Sequence, residues 1–247
     1  MQKYIILLII LISIIVCLFC LSYETFQNIE TDAEWVWSKN WTDKDFEARK
    51  DANCNPISKK YIDDFVIWTM PKSCEHGLPH TRNNNVIAIP EGFPEARLNG
   101  TLEHEKIHIH QKKYPNLWKK FYLNKWKYQI YDSPPSFMPS SLITNKRANP
   151  DTGDEPWCCW NNRWWSVPVY KDDNLSLSQA PIKWYDQQTN KIFDNPPKEW
   201  TEFFGNDIFQ LEHPHEISAV LLSANKKNNT PAEVVLFNSW DRELKVL

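Results

Sequence analysis

The sequence lacks a second long apolar run, because residues 5–21 form its only uninterrupted hydrophobic stretch. This excludes a transporter that crosses the membrane several times. The chain also lacks an excess of positive charge, since its formal net charge is −3, and we therefore expect no nucleic-acid partner held by a basic surface. Glycine is scarce, with 5 residues, and no internal repeat, low-complexity tract or Gly/Ser linker divides the chain.

Aromatic residues, in contrast, are abundant. They make up 14% of the chain and include 13 Trp, which is enough apolar surface for a packed domain of ordinary size. Helical and strand patterns do not alternate regularly, and this predicts an α+β fold. We expect a transmembrane anchor in residues 1–22, a juxtamembrane segment in residues 23–60 and one folded domain in residues 61–247.

The apolar run at residues 5–21, IILLIILISIIVCLFCL, has the length of a short membrane-spanning helix or of a long signal-peptide core. Its boundary, FCLSY, offers no pair of small residues to a signal peptidase, which favours a retained anchor over a cleaved signal. Lys3 precedes the run and several acids follow it, so the positive-inside rule leaves the N-terminal tail in the cytosol. The membrane is therefore an expected partner, and the large domain is expected in the lumen or outside the cell.

This location gives the cysteines and asparagines a meaning. Four of the 6 Cys lie beyond the apolar run, and in an oxidising compartment they can form two disulfides. Cys54 and Cys74 make the most natural local loop, whereas buried free thiols explain the neighbouring pair Cys158 and Cys159 equally well. Sequons for N-glycosylation, which fit a lumenal domain, begin at Asn40, Asn99, Asn174 and Asn228.

Several segments carry the patterns of regular structure. Residues 61–70, YIDDFVIWTM, predict a strand or a short helix, and residues 85–90, NVIAIP, alternate as a strand and stop at proline. A helix is expected to begin near Asn99 and to run to Pro115, which can itself start a second helix. Further expectations are a strand in residues 164–170 and a last helix from Pro214 to Ala224.

The first of these helices contains His104-Glu105-Lys106-Ile107-His108, an H-E-x-x-H pattern. Residues four apart lie on one helical face, so the imidazoles of His104 and His108 can reach one metal ion. Glu105 lies beside the first histidine, where its carboxylate can accept a proton from water. Zinc acidifies bound water and polarises a scissile carbonyl, so the pattern predicts both halves of a hydrolytic mechanism. An exposed helix with adventitious histidines is the alternative.

These residues resemble the zincin superfamily of zinc metallopeptidases, in which the HExxH helix packs beneath a sheet whose edge strand binds the substrate backbone. The resemblance covers the strand NVIAIP, the helix TLEHEKIHIHQ and the late helix HPHEISAVLL. It implies that His104 and His108 are zinc ligands and that Glu105 is the general base. The abundance of Asn, Ile and Lys is also similar to that of HExxH proteins encoded by large DNA viruses.

The third ligand distinguishes the zincin subfamilies. Metzincins have a histidine six residues after the second motif histidine, and Tyr114 at that place excludes this branch. Gluzincins use a glutamate from a later helix, and the resemblance indicates Glu216, with His213 and His215 as the competitors. The helix dipole alone would also explain an acid in a first turn. That family often has an acid four residues after the glutamate to orient a ligand histidine, whereas this chain has Val220.

Other residues can complete a site. His80, just before the predicted strand, and Tyr170, at the end of WWSVPVY, are candidate donors to a developing oxyanion. The Trp-rich residues 157–165 can line a substrate cleft, bind a sugar or pack in the core. The leading hypothesis is a membrane-anchored zinc metallopeptidase that hydrolyses a peptide or protein substrate. Its rivals are an inactive zincin-like protein and a Trp-rich ectodomain that binds glycans or a membrane partner.

Overall fold

The computed structural model describes residues 40–171, 175–206, 208, 210–224 and 229–245. The predicted anchor at residues 5–21 and the sequon residues Asn174 and Asn228 lie outside the described residues. Within the described ranges, no helix is both long enough and apolar enough to cross a membrane. The described part is a mixed α+β structure with two sheets and seven α-helices, which confirms the α+β part of the prediction.

The compact unit begins at Asn40, ahead of the boundary expected at residue 61. Helix α1 (Asp43–Arg49) starts with a capping box, in which the Thr42 hydroxyl accepts from the Asp45 backbone N–H and the Asp45 carboxylate accepts from the Thr42 N–H. Asp45 and Arg49 are buried, and Arg49 donates two hydrogen bonds to Glu75. Residues 40–60 therefore belong to the folded domain. The composition of this polar segment did not indicate that, because its buried charged residues form ion pairs.

The first sheet contains four strands in the spatial order β1, β2, β4, β3. The strands are β1 (Ser58–Ile62), β2 (Phe65–Met70), β3 (His80–Arg82) and β4 (Val86–Pro90). Residues 61–70 are thus parts of a hairpin that turns at Asp63, whose φ is 41°, and not one strand or helix. Strand β4 is buried along its length and confirms the prediction for residues 85–90. It pairs in parallel with β2 and antiparallel with the edge strand β3.

The predicted HExxH helix is confirmed as α2 (Glu95–Lys113), and it begins earlier than expected. Pro94 holds an extended backbone at the N-cap, and the helix continues through Asn99 without a break. The second helix, α3 (Pro115–Phe121), begins at Pro115 as predicted. A π-helical turn follows at Tyr122–Trp126 and ends at the left-handed Lys127.

The Trp-rich part of the chain forms an antiparallel sheet whose five strands follow one another in chain order. They are β5 (Tyr128–Tyr131), β6 (Trp157–Trp160), β7 (Trp164–Pro168), β8 (Ile182–Asp186) and β9 (Lys191–Phe193). Strand β7 confirms the strand predicted in residues 164–170. Cys158 and Cys159 on β6 are buried free thiols. All the tryptophans of β6 and β7 are buried, so this segment serves core packing.

The remaining helices are α4 (Ser140–Thr144), α5 (Lys198–Phe204), α6 (Pro214–Ser223) and α7 (Pro231–Ser239). Helix α6 confirms the helix predicted from Pro214, but α7 follows it, so α6 is not the last. The main hydrophobic core joins the second sheet to α3, α5, α6 and α7, and its largest fully buried members include Trp118, Trp126, Trp184 and Trp200. The core thereby supports α6 from one side.

The predicted disulfide between Cys54 and Cys74 is confirmed, and it closes a loop with a sequence separation of 20 residues. A loop of this length is expected to stabilise the fold by about 3 kcal/mol through the unfolded chain. We therefore expect the double substitution Cys54→Ser and Cys74→Ser to lower the free energy of unfolding by that amount in urea denaturation. Wild type unfolded in reductant should show the same loss. A double variant whose curve coincides with that of the oxidised wild type would contradict the prediction.

Candidate metal centre

The two predicted ligand-bearing helices pack against each other. Helix α2 carries His104 and His108 one turn apart, and α6 carries Glu216 in its first turn. Helix α6 begins where it does because Pro214 occupies its first turn and the ring of the N-cap residue His213 accepts from the His215 N–H. This start directs the Glu216 carboxylate at the two histidines of α2.

The three predicted ligand atoms form a small triangle. The Nε2 atoms of His104 and His108 are 3.0 Å apart. Glu216 Oε2 lies 3.3 Å from His104 Nε2 and 3.4 Å from His108 Nε2. Bonds of about 2.0–2.1 Å in a tetrahedral zinc site place neighbouring ligand atoms roughly 3.3 Å apart. The triangle therefore has the dimensions of one face of such a site.

Glu216 presents a buried atom that the protein leaves unsatisfied. Its Oε1 accepts a 2.7 Å hydrogen bond from Asn149 Nδ2, which fixes the carboxylate plane. Its Oε2 is buried and has no hydrogen-bond partner among the described residues. A buried carboxylate oxygen without a donor is costly, and a cation bound between Glu216 and the two imidazoles would satisfy it. The donor set, two imidazoles and one carboxylate, is one that zinc accepts.

The competing histidines are occupied elsewhere. His213 Nδ1 caps α6, and its Nε2 lies 3.1 Å from the Glu155 carbonyl oxygen. His215 Nδ1 lies 3.4 Å from the carbonyl oxygen of Asp151. The structure thus brings Glu216, and neither neighbouring histidine, to the HExxH pair.

The electrostatics of the centre couple its acids to His108. Burial lowers the pKa of His108, but the carboxylates of Glu216 and Asp151 outweigh it and raise that pKa to about 10. Burial would raise the pKa of Glu216, but the charge of His108 holds it well below its usual range. The two opposite pKa shifts have one cause, the electrostatic attraction between the His108 imidazole and the Glu216 carboxylate.

Glu105 lies buried beside the triangle. Its carboxylate oxygen, a ring nitrogen of His108 and an oxygen of Asp151 lie within 4.8 Å of one another. Burial and then the negative charge of Asp151 raise the pKa of Glu105 well above its usual value. Its Oε2 has no hydrogen-bond partner among the described residues. A carboxylate with a raised pKa and a free oxygen suits a proton acceptor that later returns the proton.

A cleft of about 610 Å³ opens beside the centre. Its lining includes Arg97, Thr101 and His104 of α2, together with Arg147 and Asn149. A cavity of this size accepts a small ligand or a few residues of a peptide. The candidate centre is therefore accessible to a substrate.

The two predicted oxyanion donors do not have a free donor in the cleft. His80 lines it, but its Nδ1 faces the Leu78 carbonyl oxygen at 3.1 Å and its Nε2 accepts from Arg82 Nε at 3.2 Å. Tyr170 is not among the residues that line the cleft; its hydroxyl donates to Asp45 Oδ1 at 2.8 Å. A sequence pattern placed both residues near strands but could not give the direction of their side chains.

Sequence reasoning also missed several residues of the site. Arg147 and Asn149 come from a loop and Asp151 from the short 3-10 helix that follows it, so no hydrophobic periodicity pointed to them. Gln111, in contrast, could have been found from its helical spacing to His108.

Comparison with known proteins found no family model, curated protein or solved structure that matches this chain. The functional conclusion below therefore depends on the geometry of the site.

Proposed function

We propose that this protein is a zinc metallopeptidase of gluzincin type, anchored to a membrane by residues 5–21. His104, His108 and Glu216 are the proposed zinc ligands. The observation that carries the proposal is the triangle of ligand atoms, 3.0–3.4 Å on each side, with an unsatisfied Glu216 oxygen at one corner. The Cys54–Cys74 disulfide supports an exported domain, because such bonds persist in oxidising compartments.

In the proposed hydrolysis, the metal and the buried acid Glu105 have different roles. Zinc, when bound, supplies the Lewis acidity that makes water a nucleophile near neutral pH and polarises the scissile carbonyl. Glu105 takes the proton that the attacking water loses and gives it to the departing amine as the C–N bond breaks. Its raised pKa favours the first transfer, and its Oε2, which has no hydrogen-bond partner among the described residues, can accept the proton.

Arg147 is the proposed donor to the substrate carbonyl oxygen, in place of His80 and Tyr170. It lines the cleft, and its Nη2 donates to both carboxylate oxygens of Glu212 at 2.5 Å. The Glu212 pairing holds the guanidinium in place, so the side chain can serve as a preorganised donor.

Metal analysis of the purified full chain tests the proposal. We expect one zinc per chain in wild type and none in His104→Ala. His110→Ala is the matched control, because His110 lies on the same helix but its ring accepts from Trp118 Nε1, away from the triangle; it should keep the metal. Absence of zinc from wild type, or equal zinc in His104→Ala, would refute the site.

Cleavage of a broad peptide library separates the proposed enzyme from its nearest rival. Wild-type protein with stoichiometric zinc should cleave, and removal of the metal with a chelator should stop cleavage until zinc is restored. Stoichiometric zinc without any cleavage would instead identify an inactive zincin-like protein. Val220 favours this alternative, because the family that the chain resembles often has an acid at that position.

A further inference from the structure

The buried side chain of Gln111 connects the two ligand-bearing helices. It lies on α2 three residues after His108, and only 1% of it is exposed. Its Oε1 lies 2.8 Å from His108 Nδ1. Its Nε2 lies within donating distance of the His215 carbonyl oxygen at 3.0 Å and of Ser218 Oγ at 2.9 Å, both on α6, and of the Tyr122 hydroxyl at 3.2 Å. The amide thus contacts the proposed ligand His108 at one end. At its other end it contacts α6, the helix that carries the proposed ligand Glu216.

The surrounding hydrogen bonds decide which end of the amide is which. Ser218 Oγ has three possible partners for its single hydrogen, Pro214 O at 2.8 Å, His215 O at 3.0 Å and the Tyr122 hydroxyl at 2.8 Å, so the serine alone does not orient the amide. The His215 carbonyl oxygen, 3.0 Å from the amide nitrogen, can only accept, and it decides the orientation. The NH2 group of Gln111 must therefore face α6, and its oxygen must face His108.

An oxygen that can only accept fixes the proton of the imidazole. His108 Nδ1 must carry a hydrogen to donate to Gln111, so Nε2 is the nitrogen whose lone pair can bind a metal. The Nε2 atom is the one that lies 3.4 Å from Glu216 Oε2. Gln111 is thus a hydrogen-bond partner of His108 Nδ1, whereas Val220, four residues after Glu216, offers no polar side-chain atom.

We propose that Gln111 is a positioning residue of the metal centre, which sets the tautomer of His108 and the register of α2 against α6. This inference rests on the proposed zinc site. Outer partners of metal-binding histidines typically contribute about 10–100-fold to metal affinity. Because the acceptor is an uncharged amide, it orients His108 without adding a second negative charge beside Glu216.

Substitution of Gln111 tests both halves of this role. Gln111→Met keeps the side-chain length and removes both hydrogen-bonding ends, so Zn²⁺ affinity, measured against a chromophoric chelator, should fall about 10–100-fold. Gln111→Glu restores an acceptor for His108 but cannot donate to α6, so its affinity should lie between those of Gln111→Met and wild type. Equal affinity in all three proteins would overturn the inference.

A spectroscopic readout separates this role from general stability and from the zinc proposal itself. In ¹⁵N-histidine-labelled protein, His108 should show an exchange-protected Nδ1–H resonance in wild type and in Gln111→Glu, with and without zinc. Gln111→Met should lose that protection. Protection that persists in Gln111→Met would contradict the assignment, whether or not wild type binds zinc. If wild type binds no zinc but the protection follows Gln111, the zinc proposal fails while the hydrogen bond stands.

Discussion

Glu105→Gln is expected to lower kcat for peptide cleavage by about 10³-fold, within the roughly 10²–10⁴-fold range typical of a lost general base. Glutamine has nearly the same shape as glutamate but cannot accept a proton at neutral pH, so the substitution removes the transfer and leaves the cleft intact. Zinc should remain at one per chain, because Glu105 is not a corner of the ligand triangle. Steady-state cleavage of a peptide found in the library, together with metal analysis, measures both effects.

A neighbouring glutamate provides the control. Glu103 lies on the same helix, its side chain is 63% exposed and it pairs with Lys106 at the surface. Glu103→Gln changes the helix by the same chemical step and should retain wild-type kcat. Activity of Glu105→Gln within a few-fold of wild type would remove Glu105 from the mechanism.

Asp151 is the other acid beside the centre, and its contacts distinguish it from Glu105. Asp151 Oδ1 accepts from the Thr81 backbone N–H at 2.8 Å and from Thr81 Oγ1 at 2.5 Å. Lys112 Nζ lies 3.8 Å from the same oxygen. Asp151 thus binds Thr81 on the edge strand β3, whereas Glu105 Oε2 has no hydrogen-bond partner among the described residues. These contacts support the proposed assignment of Glu105 as the base, whose pKa the charge of Asp151 raises.

The same contacts bear on how a substrate binds. The resemblance implies that an edge strand binds the substrate backbone, and β3 is an edge strand of the first sheet. At Thr81, however, the backbone N–H donates to Asp151 and the carbonyl accepts from Lys112 Nζ at 2.9 Å. These bonds block strand addition at Thr81 as long as they persist, so in the proposed enzyme we expect side chains that line the cleft to contribute to substrate recognition.

The sequence could predict those features that depend on residues close together in the chain. The spacing of His104 and His108 is local to one helix, and a helix of any packing keeps it. The strand before it and the start of α6 at Pro214 are likewise local patterns. Glu216 was indicated by resemblance, since nothing in its own neighbourhood distinguishes a ligand from an acid that stabilises the helix dipole.

The missed residues depend on contacts between distant segments. Asn149 lies in an irregular segment where its Oδ1 accepts from the Asp151 N–H, so locally it is an ordinary turn residue. Only the packing of that turn against α6 brings its amide to Glu216. Arg49 was missed for a similar reason, because its partner Glu75 lies 26 residues away and no period connects them. Such pairs are set by tertiary structure and leave no periodic trace in the sequence.

Glu216→Ala is expected to lower zinc affinity by more than the roughly 100-fold that loss of an outer partner can cost, because it removes a ligand. His215→Ala is the matched comparison, since it removes the adjacent side chain from the same helical turn. The imidazole of His215 is buried, which lowers its pKa to about 3, and the ring faces the Asp151 carbonyl. Its loss leaves the triangle in place, and its backbone carbonyl can still accept from Gln111. The reverse order of affinities would reject Glu216 as the third ligand.

The pH dependence of zinc binding gives an independent test of the same residue. His108 must be neutral at Nε2 to bind a metal, but in the metal-free protein its pKa is raised to about 10, against burial, by the charges of Glu216 and Asp151. Binding below that pH therefore releases a proton, and wild-type affinity should rise with pH across the neutral range. Glu216→Ala removes the carboxylate that raises this pKa most, so fewer protons should be released and the slope should be shallower. Chelator competition measures how zinc affinity changes with pH in both proteins. A range of roughly pH 6 to pH 8 is suitable because it includes the ordinary pKa of histidine. An equal slope in the two proteins would show that Glu216 does not raise the pKa of His108.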